Sequence, residues 1–182
     1  VTPFRLLSNN TNPATDTQEV TFEATSDEVR VIKTYYIKPD SYDIRVATTV
    51  ENLGSTAITP SIYLQLTRDG NNPPDTSRLY RTFTGPVIYS AEDKFQKIDF
   101  SDIDKNKAKY TTTAPDGWIG MGQHYFATAW VPAEGVESTN QVVRVANNLY
   151  AVRTIYPVGT IEPGASSLVE ANLWVGPQDQ QA

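Results

Sequence analysis

His124 is the only imidazole in a chain of 182 residues, and the chain has no Cys. Acid–base or nucleophilic chemistry near neutral pH therefore has a single candidate base. A serine nucleophile would need a sharp turn beside it, and no Gly-x-Ser-x-Gly elbow occurs. A lone His within an aromatic segment reads instead as a hydrogen-bonded core residue. Without Cys, disulfide, thiolate and Cys-ligated metal chemistry are excluded. Asp102, Asp104 and Asn106 copy the first three ligand positions of a calcium loop. Lys107, however, stands where Gly is needed, and Thr113 where the bidentate Glu belongs. From Glu92 to Lys109 acids and lysines cancel, which reads as a solvated loop and strand. Gly120-Met121-Gly122 lacks the third glycine and the following helix of a dinucleotide loop. The 21 acids single out no pair at glycosidase spacing. The residues point to no catalytic centre, no metal and no cofactor.

Aromatic side chains are the remaining candidates. Tyr80, Phe83, Tyr89 and Phe95 gather around Gly85-Pro86, with Lys94 and Lys97 beside them. Two readings stand next to each other. One is core packing at a strand crossing. The other is a peptide- or partner-binding edge, where rings supply contact area at low entropy cost. The net charge of −6 is scattered along the chain without a basic patch, which disfavours nucleic acid as a partner.

The elements that would position these residues are strands. From Tyr42 to Val50 polar and apolar residues alternate, the sign of a half-buried antiparallel strand. Asn52-Leu53-Gly54-Ser55 ends it. Ile62, Leu64 and Leu66 continue the pattern in the next. Val20–Ala24 and Val29–Ile37 read as strands joined by Ser26-Asp27-Glu28. Val142–Ala146 and Leu149–Tyr156 flank Asn147-Asn148, and Asn tolerates the positive φ of a tight hairpin turn. Pro163-Gly164 marks a turn before a last strand, Ser167–Val175. Nine or ten short strands with turn signals between them predict an all-β antiparallel sandwich with few or no helices. Residues 1–18 and 69–81 read as loops, and 178–182 as a frayed tail. The length fits one domain over 1–182. No leader-like segment opens the chain, which reads as a piece of a longer protein.

The segment from Gly117 to Ala133 carries no formal charge. As a helix it would fall short of a hydrocarbon core of ~30 Å. It reads as a central strand covered on both faces, bent or bulged at Gly120 and Gly122. Trp118, Phe126 and Trp130 fall on one parity, and Ile119, Met121 and Tyr125 on the other.

Three landmarks carry a resemblance to a known family. The first is Thr82-Phe83-Thr84-Gly85-Pro86-Val87-Ile88-Tyr89-Ser90 followed by Glu92 to Lys97 and Phe100. The second is Gly117-Trp118-Ile119 with His124-Tyr125-Phe126 and Ala127 to Trp130-Val131-Pro132. The third is Leu173-Trp174-Val175-Gly176-Pro177. With these the chain resembles the large periplasmic domain of the YidC membrane protein insertase of Gram-negative bacteria. The likeness implies a β-supersandwich related to galactose mutarotase-like folds, hung in the periplasm from an inner-membrane protein. It implies a non-catalytic domain that supports insertion and folding of membrane proteins by contacting SecDF, the Sec translocon or nascent chains. The SecDF contact so implied falls roughly on Glu51 to Phe100. Mutarotase relatives use a His pair plus a Glu, which one His cannot supply. The alternative is a carbohydrate-binding or sugar-converting domain, in which the three Trp would stack on a sugar ring. The family domain has further strands before the segment that opens this chain, and their absence here would leave strand edges open to pairing.

Overall fold

The computed structural model describes residues 2–72 and 83–178. These form antiparallel sheets with a single short helix. In chain order the elements are β1 (Arg5–Asn12), β2 (Thr17–Thr25), β3 (Val29–Ile37), β4 (Asp43–Asn52), β5 (Ser61–Asp69), β6 (Gly85–Ser90) and β7 (Lys94–Lys97). There follow α1 (Phe100–Asp104), β8 (Thr113–Ala114), β9 (Trp118–Gly122), β10 (Phe126–Pro132), β11 (Ser138–Ala146), β12 (Leu149–Pro157) and β13 (Ser166–Pro177). Two compact units emerge. One takes Val1–Ile62 and Pro157–Leu173, the other Tyr63–Tyr156 and Trp174–Ala182.

In the first unit the strand order is β1-β2-β3-β4-β13. The alternation of β4 buries Val46, Thr48, Val50 and Asn52 on one face. Asn52 ends the strand with every side-chain polar group engaged. Its Nδ2 donates to the carbonyls of Thr56 (2.8 Å) and Ile161 (2.9 Å), and its Oδ1 accepts from Gly54 N–H (3.0 Å). A buried amide is tolerated only on such terms. The start of the chain departs from expectation. Within the stretch read as a loop, Arg5–Asn12 is a strand paired with β2 from Arg5↔Glu23 to Asn12↔Thr17. Its side chains are mostly exposed on both faces, so no period-2 signal was available to reveal it. The ladder itself and cross-strand contacts such as Gln18 Nε2 to Asn9 Oδ1 (2.8 Å) hold it.

The strongest of those contacts is a carboxylate clasp. Glu23 is buried. One of its oxygens accepts from Arg5 Nε (3.1 Å) and Nη2 (2.8 Å), the other from Arg30 Nε (2.6 Å) and the Thr25 hydroxyl (3.0 Å). The guanidinium of Arg5 and then that of Arg30 hold its pKa at about 2, down from an ordinary 4.5. The depressed folded-state value means that the clasp stabilises fully above the unfolded value. That stability drains away as pH falls from about 4.5 toward 2. Urea unfolding measured from pH 6 down to pH 3 is expected to show a steeper loss of stability for the native chain than for Glu23→Gln. Parallel curves for the two would remove the clasp from any account of acid sensitivity.

The second unit has two sheets. One runs β13-β10-β9-β6-β7, the other β5-β12-β11-β8. Ile88, Ile119, Met121 and Trp130 of the first and Leu64, Val142, Val152 and Thr154 of the second are buried. Trp130 Nε1–H donates to the carbonyl of Gln65 in β5 (3.2 Å), which ties one sheet to the other through a buried ring. The turn between β11 and β12 is as read, with Asn148 at φ 52°.

The uncharged segment differs from its reading. It is a hairpin, with β9 and β10 paired from Trp130↔Ile119 to Ala127↔Gly122 and His124-Tyr125 at the turn. Gln123 N–H donates to Phe126 O (2.8 Å) to close it. Folding back puts Trp130 beside Ile119 on the core side, with Trp118 on the opposite face. A two-residue hairpin turn usually announces itself with Asn-Gly or Asp-Gly at positive φ, and neither His124 nor Tyr125 has positive φ. The Glu92–Lys109 loop likewise contains α1. Tyr150 anchors that helix: its hydroxyl donates to the Asp104 carboxylate (2.8 and 2.9 Å) and its ring lies 4.6 Å from Phe100. The Asp104 hydrogen bond, with burial, raises the Tyr150 pKa.

Candidate functional site

β6 is the centre of the site. It pairs with β9 through Gly85↔Gly122, Val87↔Gly120 and Tyr89↔Trp118, and with β7 through Val87↔Lys97 and Tyr89↔Phe95. Directly opposed residues share a face, so Val87, Tyr89, Phe95, Lys97 and Trp118 stand together on the face opposite Pro86 and Ile88, with Val87 buried and Phe95 and Lys97 exposed. Tyr89 and Trp118 stack at 5.6 Å with their planes 12° apart, and Phe95 meets Trp118 edge-on at 5.6 Å. Lys97 Nζ lies 5.5 Å from the Phe83 ring centre and 5.9 Å from that of Phe95. Trp118 can lie low on the sheet because Gly120 has no side chain. A Cβ there would come within 3.2 Å of the indole and 3.1 Å of Thr128 O.

A groove of about 260 Å³ runs beside this cluster. Phe83, Val87, Phe95, Trp118, Trp174 and Pro177 line it with backbone from β9 and β10, and none of the described residues in its wall is charged. Phe95 is 51% exposed at its rim. A second cleft of about 460 Å³ opens on the other flank of Tyr89 and Trp118, where Asp116, Pro132 and Glu134 contribute.

The structure brings Phe83, Tyr89, Phe95 and Lys97 together. Lys94 is exposed at the start of β7 with φ 58°. Pro86 is fully buried on the core side of β6, where no partner reaches it. Tyr80 lies outside the described residues. Among the landmark residues, Gly117 leads into β9, Trp130 is core, and Gly176 is buried in β13. His124 is not in a core strand. It sits half-buried at the hairpin turn with its ring 4.0 Å from that of Tyr125. Tyr125 and Phe126 beside it are 67% and 60% exposed. Trp118 and Trp174 were not among the residues assigned to the binding edge. The spacing Trp118-x-Gly120-x-Gly122, a large ring followed on its own face by two bare positions, is the signal that could have found the groove.

A family-wide sequence profile described as the YidC periplasmic domain matches residues 2–182. The membrane protein insertase YidC of Bordetella avium is 53% identical over 182 residues, 100% of this chain and 33% of that protein. The YidC of Bordetella parapertussis is 52% identical over 181 residues, 100% of this chain and 32% of its own length. The chain thus spans about a third of the length of these relatives. A galactose mutarotase-like protein from Lactobacillus casei shares the fold at a TM-score of 0.55 and 11% identity, over 92% of this chain and 73% of that one. Fold, landmarks and matched length agree, and the chain belongs to the YidC periplasmic domain family.

Proposed function

We propose that this is the non-catalytic periplasmic docking domain of a membrane protein insertase. It holds SecDF, other parts of the Sec translocon or nascent membrane proteins through the outer face of β6, β7 and β9. The observation that carries the reading is Trp118 packed between Tyr89 and Phe95 on an open sheet face. Large rings held rigid by their neighbours give contact area without an ordering cost, and Lys94 and Lys97 at the rim add charge for an acidic partner. Supporting insertion and folding from the periplasm needs only such reversible contacts and no bond-making group. Retention of the SecDF periplasmic region by the chain is expected to fall about tenfold when Lys94→Glu, Lys97→Glu and Phe95→Ala are combined. Full retention by that variant sinks the assigned surface.

The cleft beside Tyr89, Trp118, Asp116 and Glu134 favours a second reading, a carbohydrate-binding domain on the fold shared with mutarotase-like proteins. Rings and carboxylates are the usual sugar-binding pair of groups. Saturable quenching of Trp fluorescence by millimolar hexose would favour it over docking. The sugar-converting version lacks a base pair, since His124 is single and lies at the hairpin turn.

A further inference from the structure

We infer that the tip of the β9–β10 hairpin is a membrane-contact element that rests in the neutral headgroup layer of a lipid bilayer. The inference rests on the docking reading above, which sets a bilayer within reach of the domain. Four observations carry it. Tyr125 in the turn and Phe126 at the start of β10 are 67% and 60% exposed, although among the described residues Tyr125 packs only against the neighbouring His124 ring and the β9–β10 ladder does not require two large rings there. The flanking chain has no charge from Gly117 to Ala133, in a protein whose net charge is −6. Among the described residues the uncharged lining continues past the turn. Gln178 N–H donates to Tyr125 O (2.8 Å), and Trp174, Pro177 and Gln178 line the groove beside it. The residue types are those of the interface. Tyr and Trp each carry a largely apolar ring with one polar atom, which suits the depth where hydrocarbon gives way to headgroups.

Charge decides between bilayer and protein partner. The docking face of β7 has lysines at its rim, as contact with an acidic protein would require. Among the described residues the hairpin tip carries no formal charge, and its most exposed surface is the pair of rings, with the Gln123 amide beside them. A net-negative domain is repelled by anionic headgroups, so the fitting surface is zwitterionic and the attraction is ring burial alone.

Co-sedimentation with phosphatidylcholine vesicles tests this on the 182-residue chain. The native chain is expected to partition measurably, and Tyr125→Ser with Phe126→Ser to lower the partition coefficient about tenfold. Both side chains are more exposed than buried, so circular dichroism should be unchanged. The single variant Tyr125→Ala gives a second, milder reading. Because the chain has no Cys, Tyr125→Cys also accepts one polarity-sensitive dye, whose emission should shift to the blue on adding vesicles. Lys94→Glu with Lys97→Glu should leave vesicle partitioning within about twofold while weakening retention of the protein partner. That contrast keeps the two readings separate. Absence of partitioning by the native chain, equal partitioning by the serine variant, or binding that needs anionic lipid and the two lysines would each overturn the inference.

Discussion

A Gly117→Ala chain is expected to melt about 10 °C below the parent, if it folds at all. Gly117 has φ 126°, a region that side-chain-bearing residues rarely adopt, and a Cβ placed there would collide with Tyr89 O and lie 3.1 Å from Tyr89 C and 3.3 Å from Ser90 Cα. All three are main-chain atoms of β6. That strand cannot retreat, because β7 holds it on one side and β9 on the other. Backbone strain of about 1–3 kcal/mol adds to overpacking of about 1–3 kcal/mol. The methyl would also push Trp118, the next residue, off the Tyr89 ring. Tryptophan emission and partner retention should therefore change along with the melting temperature. A variant melting within about 2 °C of the parent, with unaltered emission, would show that the turn into β9 is not the constraint described here.

Trp130→Ala is expected to cost about 3–5 kcal/mol in urea unfolding, a large share of the stability of any domain. Two effects combine. The buried indole leaves a cavity between the sheets, and the carbonyl of Gln65 loses its donor. Trp130→Phe separates them. It keeps most of the ring and removes the N–H, so it should cost only about 1 kcal/mol more than its smaller volume explains. An alanine variant within about 1 kcal/mol of the parent would mean that the two sheets are held mainly elsewhere.

How much of this was legible depended on whether local chemistry and tertiary context agreed. β4 was plain because one face is core and the other is wet, so its side chains alternate. The β11–β12 turn was plain because Asn148 adopts the positive φ that Asn tolerates. β1 was not, since an exposed strand at a sheet edge is held by backbone pairing and needs no apolar period. The β9–β10 hairpin was hidden for the opposite reason. Its two strands and its turn run together as one uncharged stretch rich in aromatic residues, and nothing in Gln123-His124-Tyr125 announces a reversal. α1 is five residues long, too short for a helical period to show. At the candidate site, Phe83, Tyr89 and Phe95 could be gathered from their closeness in the chain. Trp118 and Trp174 could not, because the register of β9 and the position of β13 bring them there. Pro86 illustrates the converse. It lies between Gly85 and Val87 on the chain, yet strand alternation turns it to the opposite face.

Where Gly85 faces Gly122 and Gly120 faces Val87, the sheet under the groove is largely bare main chain. A molecule lying there would touch peptide planes, which look alike in every protein, with the aromatic walls the main source of preference. Such a floor distinguishes poorly among sequences. It suits a surface that must receive many different chains briefly rather than one ligand for long.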